Sequence, residues 1–267
     1  MRPRVTVALL LAVVLAGLLK PTPTQAQDFA ALVTPPRFEL RAKAGDRLRA
    51  VVEISNASAQ SARMRVKTAD WILEPDYSVT FDESLQPGSC RPWVAIERRE
   101  LMIAGGGRYR FRFEVSPPPD APAGECRFAL LIEGDDQEVK AANGLAFPVS
   151  GRIGVIVYVA LGDAAPVLDV VGTGTATVDA ERSPVLMVKN TGNAHGRVAG
   201  FLSGTDALGR ALDFTPSTFP ILPGETRPVA LKASIGKDDT IKVAYPITIR
   251  GALEWADKRI PFKQRFE

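Results

Sequence analysis

Histidine is almost missing from this sequence: His195 is the only one. Cysteine is nearly as scarce, with Cys90 and Cys126 alone. Two cysteines and one histidine cannot complete the usual four-ligand zinc site. A hydrolytic triad would have to use His195, and no Gly-x-Ser-x-Gly elbow accompanies it. Its setting, Asn190-Thr191-Gly192-Asn193-Ala194-His195-Gly196, reads as a turn, with the histidine bonded to backbone. Gly172-Thr173-Gly174 has neither the following helix nor the third glycine of a dinucleotide loop. The acidic pairs Asp135-Asp136 and Asp238-Asp239 lack calcium-loop spacing. No enzyme and no cofactor is expected.

Charge of one sign is also lacking. The chain has 33 Lys+Arg and 30 Asp+Glu, and setting aside residues 1–26, with Arg2, Arg4 and Lys20, leaves 30 of each. A nucleic-acid binder keeps a basic excess, so none is expected here. Apolar runs of spanning length are missing after residue 26. The first 26 residues are different: Arg2 and Arg4 precede the apolar run Val5–Leu19, and Thr24-Gln25-Ala26 offers small residues at the cleavage positions. This predicts a secretory signal peptide cut after Ala26, because Lys20, Pro21 and Pro23 close the run before the ~20 residues a membrane helix needs. The expected location is the periplasm, with no stable membrane insertion after cleavage. In an exported chain an even cysteine count invites a disulfide, Cys90–Cys126.

What the sequence has in abundance is alternation. Short period-2 runs separated by Gly, Pro, Asn and Asp clusters predict an all-β chain of sandwich type. The expected strands of the first half are 37–42, 48–55, 62–73, 93–97, 109–115, 126–133 and a long run from Leu145 to Leu161. The second half repeats the plan. Val51-Val52-Glu53-Ile54-Ser55-Asn56 has a counterpart in Val185-Leu186-Met187-Val188-Lys189-Asn190. Leu101 to Gly106 and Pro220 to Glu225 each place an apolar stretch and a glycine turn before a strand. Two tandem immunoglobulin-like domains follow, 27–161 and 162–267, with an insertion at Glu74–Arg91 in the first. Trp71 and Trp255 are the expected core aromatics. The short joint at Leu161–Pro166 predicts a fixed angle and a cleft between the domains.

The run from Leu145 is the most informative segment. Leu145, Phe147, Val149, Ile153, Val155, Val157 and Val159 share one parity. At about 16 residues it spans roughly 50 Å at the rise of a strand and should overrun its sandwich. Pro148 cannot donate to a ladder, which puts this part on an edge. A bare apolar edge suits β-augmentation, in which a partner adds a strand.

In order and spacing, the first half resembles the N-terminal domain of PapD-like periplasmic chaperones of pilus assembly. The matching pieces are Pro36-Arg37, Val52-Glu53-Ile54-Ser55-Asn56, Trp71, Trp93-Val94-Ala95-Ile96 leading to Gly105, Tyr109-Arg110-Phe111-Arg112, Pro119-Asp120 through Gly124-Glu125, and Arg152-Ile153. The second half matches through Val188-Lys189-Asn190 and Leu222-Pro223-Gly224. The resemblance implies that the chain holds pilin-like or other exported subunits, lending them Leu145, Phe147 and Val149 as a strand. It also implies that Arg37 anchors a subunit's terminal carboxylate in the cleft. The family's partner lysine does not carry over, since Gly154 follows Arg152-Ile153. The competing expectation is a structural or adhesive module of tandem sandwiches that lends no strand.

Overall fold

The computed structural model describes residues 30–135, 137–140, 146–149, 151–178 and 180–267. The expected signal segment and Leu145 lie outside the described residues. Apart from one 3-10 turn, Arg91–Trp93, the regular structure among the described residues is all strand, so the all-β expectation holds.

In chain order the strands are β1 (Ala31–Thr34), β2 (Arg37–Ala42), β3 (Leu48–Asn56), β4 (Ala62–Leu73), β5 (Val79–Asp82), β6 (Val94–Ile96), β7 (Glu100–Ile103), β8 (Arg108–Val115), β9 (Gly124–Gly134), β10 (Gln137–Lys140), β11 (Ala146–Val149) and β12 (Arg152–Leu161). They are followed by β13 (Leu168–Val178), β14 (Glu181–Asn190), β15 (Ala199–Thr205), β16 (Ala211–Pro216), β17 (Thr226–Ser234), β18 (Ile247–Trp255) and β19 (Lys258–Phe266).

The first twelve strands build a sandwich. A four-stranded sheet, β1-β3-β8-β6, faces a six-stranded sheet, β2-β12-β9-β4-β5, with β7 also on β4. Alternation explains the pairing of faces. Val52, Ile54, Phe111 and Phe113 point inward from one sheet and meet Met64, Val66, Phe128, Leu130, Ile132, Val155 and Val157 from the other. Their even-odd neighbours, such as Arg110 and Arg112, are exposed. This strand order is immunoglobulin-like. The chain crosses between the sheets at Pro35-Pro36, where two residues without an N–H end β1's ladder and free β2 to pair in parallel with β12.

The last seven strands form one sheet, β13-β14-β17-β16-β15-β18-β19. It folds over because β17 serves both layers: its first half pairs with β14 and its second half with β16. One core results, including Leu186, Phe214, Leu231, Ile249 and Trp255.

Two expectations need correction. The run 145–161 is not one strand but two, β11 and β12. β12 pairs with β9 from Arg152↔Glu133 to Leu161↔Gly124, whereas β11 pairs with β10 in a separate two-stranded sheet. From Gln137↔Val149 to Glu133↔Arg152 the register advances four residues on one side and three on the other. The two ladders are therefore not continuous. The second correction concerns Trp71. It is buried, but on the outer face of its sheet with Ala69, Leu73, Ala129, Leu131 and Tyr158, not in the sandwich core. Its parity is opposite to that of Met64 and Val66, and Leu222 of the second unit helps to cover it. Trp255 does lie in the second core.

Candidate partner-binding site

Two features of the first sandwich are available to a partner: an unpaired edge and a cleft beside it. The edge follows from register. β2 covers β12 only from Ile156 to Leu161. Among the described residues no strand pairs with the outer side of Arg152–Val155, and none but β10 pairs with β11. β10 and β11, which lie between β9 and β12 in the chain, form a separate two-stranded sheet. Phe147 and Val149 stand on β11, opposite Val139 and Gln137. Pro148 faces Glu138 in the same register.

The insertion Glu74–Arg91 borders this edge. Its strand β5 pairs with β4 from Asp70 to Leu73. Arg91 closes the insertion, donating to the carbonyls of Thr68 (2.9 Å), Glu83 (3.0 Å) and Ser84 (3.1 Å). The tip of the Phe81 ring on β5 abuts Gly154: a Cβ there would stand 2.2 Å from the Phe81 Cζ. A side chain at position 154 would have to displace that ring, which occupies the place where the resemblance puts a lysine. Nearby, Lys67 and Arg152 share Glu133, at 2.9 Å and 2.6 Å, and Glu83 bonds Lys67 at 2.7 Å.

The cleft, of about 310 Å³, lies where β2 and β12 meet the loop before β15. Arg37 lines it from β2 and holds Glu39 through Nε at 2.9 Å. Arg197, from the other unit, donates to the same Glu39 Oε1 at 2.8 Å. Two guanidinium groups from two sandwiches therefore converge on one carboxylate. The second cation beside Arg37 is Arg197, which sequence spacing did not place there.

His195 belongs to this cluster and not, as its turn-like context suggested, to a backbone contact of its own loop. Its Nδ1 lies 2.5 Å from Glu125 Oε2, and its own N–H donates to the same oxygen at 3.2 Å. Arg197 Nη1 lies 2.7 Å from Nε2. Arginine has only donors, so Nε2 accepts and the ring proton sits on Nδ1, shared with Glu125. The ring stacks on Tyr158 at 3.8 Å. Burial pushes the Tyr158 hydroxyl up to about 12, despite the opposing charge of Arg197. The carboxylate partner of His195, Glu125, is 70 residues away in sequence, which is why no local motif signalled it. The set Glu125–His195–Arg197–Glu39 ties the units together. No group of three or more potential metal ligands occurs among the described residues.

Cys90 and Cys126 are free thiols in the structure. They are neighbours: contact with Cys126, together with burial, pushes the Cys90 thiol up. No helix among the described residues is long and apolar enough to cross a membrane.

No family model matches the sequence, and no curated protein does. Among solved structures, the chain is similar in overall path to the YadV chaperone, with 10% identity and a TM-score of 0.47 over 88% of this chain and 99% of that one. It is similar to the class 5 fimbriae chaperone CfaA, with 12% identity and a TM-score of 0.46 over 89% and 99%. It is also similar to the Pseudomonas aeruginosa CupB2 chaperone, with 11% identity and a TM-score of 0.44 over 88% and 100%.

Proposed function

We propose that this protein is an exported, periplasmic chaperone-like factor that holds pilin-like subunits by lending them a strand. In this reading, residues 1–26 are a signal peptide, and 27–161 and 162–267 are two domains that bind the client between them. The observation that carries the reading is the unpaired edge of β11 and Arg152–Val155, which no further strand covers among the described residues. Unpaired edges are aggregation hazards that folded proteins blunt, and one left open beside a charged cleft suits a strand-accepting partner. Leu145, Phe147 and Val149 are the lent side chains, each contributing about 1.5–3 kcal/mol when fully buried by the client. Arg37, with Arg197 in place of the family's lysine, anchors the client's carboxylate.

The test uses the full exported chain. In Phe147→Glu the thermal melt should be unchanged, because an edge position has little core to lose. Co-purification of envelope subunits should disappear, because a carboxylate cannot enter an apolar groove cheaply. Arg37→Ala should weaken the same capture. Unfolding of Phe147→Glu would instead support a structural module that uses this residue in its own core. A normal melt with normal capture would reject the lent strand.

A further inference from the structure

The lent edge lies on the six-stranded sheet, and the opposite sheet of the same sandwich has a surface that the proposed function does not use. Arg108, Arg110 and Arg112 are successive outward positions of β8, flanked across the ladder by Arg49 of β3, with Arg47 just before it. Three carboxylates accompany these five arginines: Glu53, Glu97 and Glu114. The two signs lie at different depths. The side chains of Arg47, Arg49, Arg108 and Arg112 are 65%, 75%, 72% and 68% exposed, whereas those of Glu114, Glu53 and Glu97 are 25%, 37% and 20% exposed. The guanidinium groups form the outermost layer and the carboxylates lie beneath. Arg110 has no bonded partner among the described residues. The existing pairs are solvent-exposed, at 3.0–3.4 Å, the kind that exchanges at little cost. Between Arg49 and Arg112 a groove of about 430 Å³ presents Val51 and Ala95 outward, beside Glu97 and Glu114.

We infer that this face docks an extended acidic segment of a second protein. The spacing selects that occupant. Outward positions on a strand repeat every ~6.8 Å, and so do alternate side chains of an extended peptide. Glu or Asp at every second position can therefore meet Arg108, Arg110 and Arg112 in succession, each as a bidentate pair. Val51 and Ala95 in the groove take one aliphatic or aromatic side chain from the same segment. Because this sheet and the lent edge lie on opposite sides of the sandwich core, both partners can be bound at once.

The probe is a labelled peptide alternating Glu and Thr with one central Leu, titrated into the full mature chain by fluorescence anisotropy. Its control has the same composition with all Glu in one block. The alternating peptide should bind, more weakly as salt rises. Charge reversal by Arg110→Glu should weaken it about tenfold, Arg110→Gln should weaken it less, and Arg250→Glu on exposed β18 should not change it. Unaltered melts of both Arg110 variants keep the comparison valid, and Arg110→Gln carries it alone if Arg110→Glu does not fold. Absence of binding, equal binding of the block peptide, or equal loss in Arg250→Glu would overturn the inference. Capture by acidic phospholipid vesicles in place of the peptide would overturn it in favour of a membrane surface.

Discussion

At the scale of single residues, the internal repeat comes down to two asparagines. Asn56 donates through Nδ2 to the carbonyls of Gln60 (2.7 Å) and Ile103 (3.1 Å), and its Oδ1 accepts from the Ser58 N–H at 3.0 Å. Asn190 repeats each bond: Nδ2 to Ala194 and Ile221 carbonyls, both at 2.8 Å, and Oδ1 from the Gly192 N–H at 2.9 Å. Each side chain thus closes its own turn and ties it to the segment before a glycine turn, at Gly106 and Gly224, whose φ values are +68° and +80°. The sequence showed this as a strand ending in Asn, because the motif is local and uses residue types that few others can replace. Both asparagines are buried, so Asn190→Ala takes the donor from the Ala194 carbonyl, while the Ile221 carbonyl keeps the Gly196 N–H at 3.1 Å. The expected cost is about 1–3 kcal/mol, the cost of one unsatisfied buried acceptor. Urea unfolding of Asn190→Ala and Asn56→Ala measures it, and a loss below about 1 kcal/mol in both would mean that water replaces the side chain. His195 and Trp71 were illegible for the opposite reason. One finds its partner on the other unit, and the other chooses a face that only the pairing of β4 with β9 defines.

Among elements, those that fill the core were read well. β4 and β8 match the expected spans closely because alternation persists over many residues with one buried face. The short strands β1, β5, β7 and β10 were missed. Each has only four residues, too few for a period-2 signal to stand out. The break between β11 and β12 was also hidden, since the apolar positions keep one parity in the sequence across it. One expected link between elements remains open to measurement. Cys90 opens the 3-10 turn that ends the insertion, and Cys126 is on β9, next to the Glu125 that holds His195. The two thiols are neighbours, close enough for Cys126 to push the Cys90 thiol up, so they are candidates for a bond. We expect the exported protein to weigh two hydrogens less than its reduced form. Cys90→Ser should lower stability by about 3–4 kcal/mol in the chain-entropy picture for this loop length. Two alkylatable thiols in the native exported protein would refute the bond.

For the whole molecule, the expected cleft depends on how the two units are held, and two charged contacts stand out among those that hold them. One is the His195 cluster. The other was invisible in the sequence: Arg227 at the start of β17 donates to the carbonyls of Leu73 (2.6 Å) and Glu74 (2.7 Å), and Tyr77 donates to the Pro228 carbonyl while stacking on Phe219 at 4.2 Å. The insertion that borders the unpaired edge therefore also contacts the second unit. Glu225 orients Arg227 with bonds of 2.7 Å and 2.8 Å. Burial alone would raise the Glu225 carboxyl, but donation from Arg227 and the Leu222 amide, with the charges of Arg227 and Arg127, holds it below its ordinary value. A carboxyl lowered in the folded state stabilises the fold above its unfolded pKa, and that contribution is lost as pH falls through the lower, folded value. The stability difference between the native chain and Glu225→Gln should accordingly be full near neutral pH. It should begin to shrink below about pH 4–5, near the ordinary glutamate value, and vanish in stronger acid. Urea midpoints of the two proteins across this range test it. A difference that stays constant down to strong acid would mean that Arg227 grips the Leu73 and Glu74 carbonyls without help from Glu225. The angle between the units would then be set by backbone contacts and not by charge.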